Sequence, residues 1–378
     1  MRQKDPLPPG WLGRILLAIS KGYGFGVCLR SVAYDQGILK AKQLPCVVIS
    51  IGNVTLGGSG KTPMTIYIAN LLGNLGYRVA VLSRGYGGRA EKSGAIVSDG
   101  SQVCVSADVS GDEPFMMAQY LSATPIIVGA NRYRSGKLAQ RSFKPDVILL
   151  DDGFQHRRLA RDLDLVLLDA EEPGGNGHLV PRGVLREPLK SLKRGDALIL
   201  TRTQLDGKNL KNRLASLPVS IPTFASQHRP RIVKILSAGN MSMAVSGNKD
   251  LSRDLEFLNG KRTLAFSGIA ANEQFFKMLR DAGCRPVRAL PYRDHYRYQG
   301  ADIRRIRQTA AHQHIDIIVT TEKDYYRLPD TIDWGYTLVV VGVEIRFQNK
   351  EFDNFLADKV AFHLAKKHHM RTTFNGSK

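Results

Sequence analysis

A doubly wound, mostly parallel α/β sheet with a second, smaller α/β domain is the fold the sequence predicts, and three observations predict it. Continuously apolar, β-rich runs alternate with helical patterns, as strands buried between two helical layers do. A glycine-rich loop sits between one such run and a helical stretch. After about Leu217 the pattern weakens, passes three prolines between Pro218 and Pro230, and then starts again. The 378 residues suffice for about two globular domains.

Along the chain, large apolar residues fall at 11, 12, 15, 16, 19 and 23, which is helical spacing, with Arg14 and Lys21 on the other side. This N-terminal amphipathic run is too short and interrupted to span a bilayer; it suits either an interfacial helix or a surface helix packed on its own domain. The first residues lack the pattern of a secretory leader, so none is expected. Strands are predicted at 46–51, 78–83, 126–129, 147–151, 165–169 and 197–201, with a hairpin of 95–98 and 103–106 turning at Asp99-Gly100. The second pattern comprises strands at 263–267, 315–320 and 337–344 and a helix over 272–282. A last helix, about 353–366, precedes a polar, basic end expected to fray. The expected domains are a membrane-associated helix over 1–30, a core over 31–217, a linker over 218–234, a second α/β domain over 235–345, and a helix with basic tail over 346–378.

Charge narrows the partners. Lys plus Arg number 54 against 34 Asp plus Glu, a net +20, which calls for an anionic partner such as an acidic membrane surface or a phosphorylated substrate. A nucleic acid is not expected, because no basic helix interleaves with exposed aromatics. The four cysteines, Cys28, Cys46, Cys104 and Cys284, form no paired motif. That speaks against a zinc site or disulfide framework and suits a reducing compartment.

The strongest motif is the run from Gly52 to Thr62, where Thr55, Gly57, Gly58, Ser59 and Gly60 lead into Lys61 and Thr62. Such a loop cradles phosphates with its backbone N–H groups, its Lys reaches the β- and γ-phosphates, and its hydroxyl ligates Mg²⁺. Thr55 stands where the common pattern has its first glycine. The run Asp146–Asp152 ends four apolar residues in two carboxylates, Asp151 and Asp152, as a Mg²⁺-binding strand end does. Gly111-Asp112-Glu113-Pro114 opens a helix and places Asp112 at its start. At the end of the second strand, Ser83–Gly88 brings glycines that permit close backbone approach and Arg84, suited to meet a phosphate, a weak signal alone. Leu185–Pro188, Tyr292–Tyr296 and Thr320–Asp324 are weak singly, although an Asp-His pair at Asp294-His295 suits acid/base work.

Taken in order, the loop with Thr55, SRGYGG, GDEP, LLDDGFQH, LREP, RDHY and TEKD resemble the tetraacyldisaccharide 4'-kinase family, from about Trp11 to Asp324. The resemblance implies transfer of the γ-phosphate of ATP, with Mg²⁺, to the 4'-hydroxyl of a tetraacylated glucosamine disaccharide 1-phosphate in lipid A biosynthesis. It implies a peripheral enzyme on the cytoplasmic face of the inner membrane, working on a lipid substrate at an anionic surface; a monomer is expected. By motif, Lys61 and Thr62 serve ATP and metal, Asp112 is the catalytic base, and His295 works with it. Asp152 joins the catalytic group. Asp151 and Glu187 join Thr62 as metal ligands, and Arg84, Tyr86, Gln155, His156 and Arg186 contact substrate. The chain departs from the family pattern at Tyr296, where a second histidine is usual, at Val184, where a proline is, and in the Ser267–Asn272 loop. The rival reading is a P-loop GTPase or ATPase that acts as an assembly or metallochaperone factor, but the Thr-Glu-Lys-Asp segment lacks the Asn of a guanine-reading motif.

Overall fold

The computed structural model describes residues 10–203, 220–237, 255–329 and 334–375. The expected boundary at 217/218, the first nine residues and the last three of the basic tail lie outside the described residues. The chain forms two compact units, one of residues 1–227 with 345–378 and one of 228–344.

The first unit opens with helix α1 (Trp11–Asp35). Strand β1 (Val47–Asn53) and helix α2 (Lys61–Asn74) enclose the glycine loop. Strands β2 (Val79–Ser83) and β3 (Ala95–Ser98) lead to the short helix α3 (Ala107–Ser110) and to α4 (Asp112–Tyr120). Then come β4 (Ile126–Val128), α5 (Arg132–Ser142), β5 (Val147–Asp151), β6 (Leu163–Asp169) and β7 (Ala197–Thr201). The strand order is β7-β6-β1-β5-β2-β4-β3, and only β3 runs antiparallel. Strand β8 (Thr223–Leu236) pairs its first residues with β7 and carries the chain out of this unit.

Alternating residues supply two cores. Ile49, Ile51, Val81 and Leu149 pack on Met64, Ile68 and Leu72 of α2, while Val48, Leu82, Ile148 and Leu150 pack on the opposite face with Ala139 of α5. Each fully buried large side chain contributes about 1.5–3 kcal/mol.

The second unit is a parallel sheet of β9 (Thr263–Ser267), β10 (Arg288–Pro291), β11 (Ile317–Thr321) and β12 (Thr337–Phe347), in the order β10-β9-β11-β12. Helix α6 (Asn272–Asp281) covers one face through Phe275, Phe276 and Leu279. Helix α7 (Gly300–His312) covers the other through Ile303 and Ile306. The one-turn helix α8 (Glu322–Tyr325) follows β11 directly. Helix α9 (Glu351–Asn375) then returns to the first unit, where Phe352, Leu356 and Val360 complete the α2 core.

Four expectations change. Residues 223–234, expected within the linker, belong to the 14-residue strand Thr223–Leu236. Pro222 precedes it, and Pro230 lies in the strand at a partly exposed position, so the prolines were a poor sign of a connection. The 95–98 strand forms, but its sheet partner is β4, and Val103 makes only an isolated bridge to Ser98. The final helix belongs with the first unit rather than ending the chain alone. Helix α1 runs 25 residues, not about 13; it is the one helix among the described residues long and apolar enough to cross a membrane, by length and composition.

Candidate active site

The parallel strands of the first unit all point their C-terminal ends to one edge, the edge where α/β sheets bind ligands. Ile51 of β1 is paired with Asp151 of β5, so the end of the acidic strand lies beside the start of the glycine loop. The loop leaves β1 through Asn53, whose amide donates to Ser59 Oγ (2.9 Å) and Thr55 Oγ1 (3.3 Å) and accepts from Lys61 Nζ (3.4 Å). Gly57 and Gly60 have φ of 106° and 80°, the left-handed region that only glycine adopts without strain. A side chain at Gly52 would strike Phe154 at 2.6 Å.

Thr55 fits without being glycine because it is held as a strand. It bridges Leu185 antiparallel, Leu56 N–H donates to the Val184 carbonyl (2.6 Å), and Arg186 N–H donates to the Val54 carbonyl (2.7 Å). The LREP segment therefore braces the glycine loop by backbone pairing. It also delivers Arg186, whose Nη1 donates to both oxygens of Asp152 (3.0 and 2.8 Å). Asp152 stands at φ 51°, which turns its carboxylate out of the strand toward Lys61 Nζ (3.6 Å). Burial works against its charge, yet Lys61 and Arg186 hold its carboxyl below the usual range.

Asp151 is the opposite case. It is buried and accepts from the hydroxyls of Thr65 (3.2 Å) and Ser83 (3.2 Å). Burial, then the nearby carboxylates of Glu113 and Asp152, push its pKa up to about 6 against the charge of Lys61. A buried carboxylate crowded by two others, with Lys61 and Arg132 as the cations that act on it, has the oxygen-donor chemistry that suits a hard divalent cation. Buried Thr62 follows Lys61 in the first turn of α2. These residues fit Mg²⁺.

Glu113 enters because Asp112 and Glu113 form the first turn of α4. The glycines of SRGYGG serve this turn: a Cβ at Gly88 would meet the Gly111 nitrogen at 2.5 Å, and one at Gly85 the Ser110 carbonyl at 2.8 Å.

The remaining expected residues divide. Gln155 is in place, donating to the Asn53 carbonyl (2.8 Å) and accepting from Arg186 (3.4 Å). His156 is largely buried among arginines; burial first, then Arg132 and Arg161, push its pKa down to about 4, so it is neutral. Glu187 is buried and paired with Arg194 (2.8 Å), whose guanidinium also lies over Phe154. Arg84 pairs with Glu91 (2.7 Å), and Tyr86 is exposed. His295 belongs to the second unit.

Sequence reasoning missed Asn53, Thr65, Ser83, Glu113, Arg132 and Arg202. Thr65 is one helical turn beyond Lys61, and Asn53 and Ser83 end their strands, so position relative to the loop was the available signal. Arg132 is buried, with Asp151 and Asp152 among the charges that act on it. Arg202, just past β7, joins Asp169 to the Gly58 carbonyl of the loop, and nothing local announces it.

The sequence model of the family described as Tetraacyldisaccharide-1-P 4'-kinase matches residues 12–361. A tetraacyldisaccharide 4'-kinase of Syntrophus aciditrophicus is 40% identical over 355 residues, covering 91% of this chain and 92% of that one. One of Desulfatibacillum aliphaticivorans is 38% identical over 352 residues, covering 93% and 94%. Among solved structures, LpxK from Aquifex aeolicus in complex with ATP is similar with a TM-score of 0.68 and 31% identity, covering 93% of this chain and 99% of that one.

Proposed function

The chain belongs to the tetraacyldisaccharide-1-P 4'-kinase family, and we propose from its geometry how its residues divide the family's reaction. It is an ATP-dependent phosphotransferase of lipid A biosynthesis that uses ATP and Mg²⁺ and an alcohol acceptor, the 4'-hydroxyl of a tetraacyldisaccharide 1-phosphate. The GTPase or ATPase alternative has no support from these relatives.

Phosphoryl transfer needs charge neutralisation and alignment more than covalent chemistry. In the proposed division, the amides of residues 57–60 and Lys61 bind the β- and γ-phosphates. Thr62 and Asp151 hold the metal, which supplies charge neutralisation when bound. Arg186 and Lys61 keep Asp152 ionised and oriented, and Gln155 ties that group to the loop. Asp112, at the start of α4, accepts the proton of the acceptor hydroxyl, with His295 as its partner group. Glu187 serves through Arg194 and Phe154, holding the segment that carries Arg186. Arg84, Tyr86 and His156 are left to substrate contact or to shaping its surroundings. The observation that carries this reading is the Lys61–Asp152–Arg186 chain at the mouth of the glycine loop.

A peripheral location at an anionic membrane is the second half of the proposal. Helix α1 is docked by its small and polar side. Ser20 Oγ donates to the Leu179 carbonyl (2.8 Å), Arg182 donates to the Gly13 carbonyl (3.0 Å), and Tyr23 OH donates to the Arg186 carbonyl (3.0 Å). A side chain at Gly24 would overlap Leu179 at 2.6 Å. The apolar side faces outward, with Trp11 75%, Ile19 52%, Phe25 66% and Leu29 53% exposed. A helix docked on a soluble core hides its apolar face; this one presents it, as an interfacial helix does. Its docking along the length of the helix supports lying on the bilayer rather than crossing it, despite sufficient length. Arg14 and Lys21 are exposed on the same helix and suit anionic headgroups.

The test is transfer of a radiolabelled γ-phosphate from ATP to purified tetraacyldisaccharide 1-phosphate in detergent. Labelled product in the 4'-position is expected; label released only as free phosphate would contradict the reading.

A further inference from the structure

The second unit contains a buried polar network that the reaction described so far does not use. Its centre is Asp324, the last residue of the TEKD motif, fully buried in α8. One carboxylate oxygen accepts from Gly268 N–H (2.9 Å) and Tyr298 OH (3.0 Å), and the other from Thr321 Oγ1 (2.6 Å). Arg327, almost fully buried, lies 3.5 Å from Asp324 and donates to the Gly268 carbonyl (2.7 Å). Gly268 is thus held at both its N–H and its carbonyl. A larger residue there would be crowded, because a Cβ would sit 3.0–3.1 Å from Arg293, Tyr296 and Asp324.

The same Gly268 carbonyl accepts from the backbone N–H of His295 (3.1 Å), and Asp294 Oδ1 accepts from it as well (3.0 Å). His295 stands at φ 56°, a left-handed conformation that a non-glycine residue keeps only when its surroundings hold it. The other guanidinium nitrogen of Arg327, Nη2, lies 3.2 Å from His295 Nδ1. A guanidinium has five N–H donors, no acceptor, and does not lose its proton in proteins. Nδ1 must therefore be the acceptor in this contact, and in the neutral ring the proton sits on Nε2. Protonating Nδ1 would set an N–H against an N–H beside a fixed cation.

We infer that Arg327 is a positioning residue that fixes His295 as the neutral Nε2–H tautomer, so that in the transfer reaction His295 donates a hydrogen bond through Nε2 and takes no proton at Nδ1. This rests on the proposed part of His295 in the reaction. It gives the TEKD motif a purpose: Asp324 holds Arg327 and Gly268, and these two hold the ring and the backbone of His295. It also assigns the proton-accepting role to Asp112 alone.

Two measurements test it on the full-length chain. Imidazole nitrogen spectra of the histidine-labelled protein at pH 7, with His295 assigned by its loss in His295→Gln, should show an unprotonated Nδ1 and a protonated Nε2. A protonated Nδ1 or an imidazolium overturns the inference without any variant of the network. Turnover is then compared for Arg327→Lys and Arg327→Met, each alone and combined with His295→Ala. Lysine keeps the charge beside Asp324 but lacks the planar fork, so it guards against a result due to misfolding. In the otherwise unaltered protein, each change should lower kcat on the order of tenfold with the KM for ATP unchanged. In the His295→Ala background it should add nothing. The same loss in both backgrounds overturns the positioning role while leaving the proposed part of His295 intact. Unaltered turnover in His295→Ala itself overturns both.

Discussion

Each unit buries one aspartate at the C-terminal side of a parallel strand, and the two are partnered in opposite ways. Asp324, just after β11, has a backbone N–H, two hydroxyls and a guanidinium. Asp151, ending β5, has two hydroxyls and the company of Glu113 and Asp152. Burial raises the pKa of both carboxyls; at Asp151 the carboxylates of Glu113 and Asp152 add to it while Lys61 opposes, whereas at Asp324 the hydrogen bonds and Arg327 oppose it. A buried carboxylate crowded by other carboxylates costs stability, and such groups cluster where a ligand binds. The first unit holds the open site and the second a closed scaffold.

The contrast is broken or sharpened by substitutions in both halves, and the largest effects belong to the open site. Asp112→Ala should lower kcat by ~10²–10⁴-fold with little change in the KM for ATP, because a base acts on the acceptor hydroxyl. A change confined to the KM for ATP would make Asp112 a nucleotide or metal residue. Lys61→Ala should lower label transfer by ~10²–10³-fold, the scale for one preorganised charge contact, while circular dichroism stays unchanged. In the closed scaffold the order of effects reverses. Asp324→Ala should destabilise by about 3–5 kcal/mol in denaturant titration, since it removes the carboxylate beside the buried Arg327 guanidinium, and kcat should fall further than the folded fraction does, because Arg327 and Gly268 then lose their hold on His295. The smallest effect is expected at α1. Ile15→Glu with Ile19→Glu should shift the protein off anionic liposomes in flotation and raise the KM for the lipid acceptor, sparing the melting temperature and the KM for ATP. Unchanged flotation with a lowered melting temperature would contradict the outward-facing reading. Leu16 is a poorer choice for this test than its spacing suggested, because it is half-buried toward the docked side.

What could be read in advance follows how local each cause is. The glycine loop, Lys61 and Asp151-Asp152 were legible because strand, loop and helix are contiguous and the chemistry lies in adjacent residues. The direction of α1 was not: a 3.6-residue period marks an apolar stripe but not which side is docked. The small stripe of Gly13, Ser20 and Gly24 carried that signal. The acidic role expected of Glu187 met Arg194, and Arg202 reached Gly58 across 144 positions. Such pairings are products of the folded chain and have no periodicity. Strand β8 was hidden because Pro222 and Pro230 punctuate it while its neighbours supply the missing order, and α9 because the core it completes was begun about 300 residues earlier.

That Asp151 is kept as a buried carboxylate crowded by others for a ligand's sake is tested most directly by the melting temperature of Asp151→Asn against the unaltered chain, without nucleotide or metal, from pH 4 to pH 7. The carboxyl's folded pKa is raised from 3.8 to about 6. Between those values the folded state holds the proton that the unfolded state releases, so stability falls as pH rises through that window. The amide bears no such cost. The account predicts that the two proteins melt alike near pH 4, and that the variant melts increasingly higher toward pH 7 while its label transfer is lost. A variant that melts lower at pH 7, or that keeps its transferase activity, would contradict it.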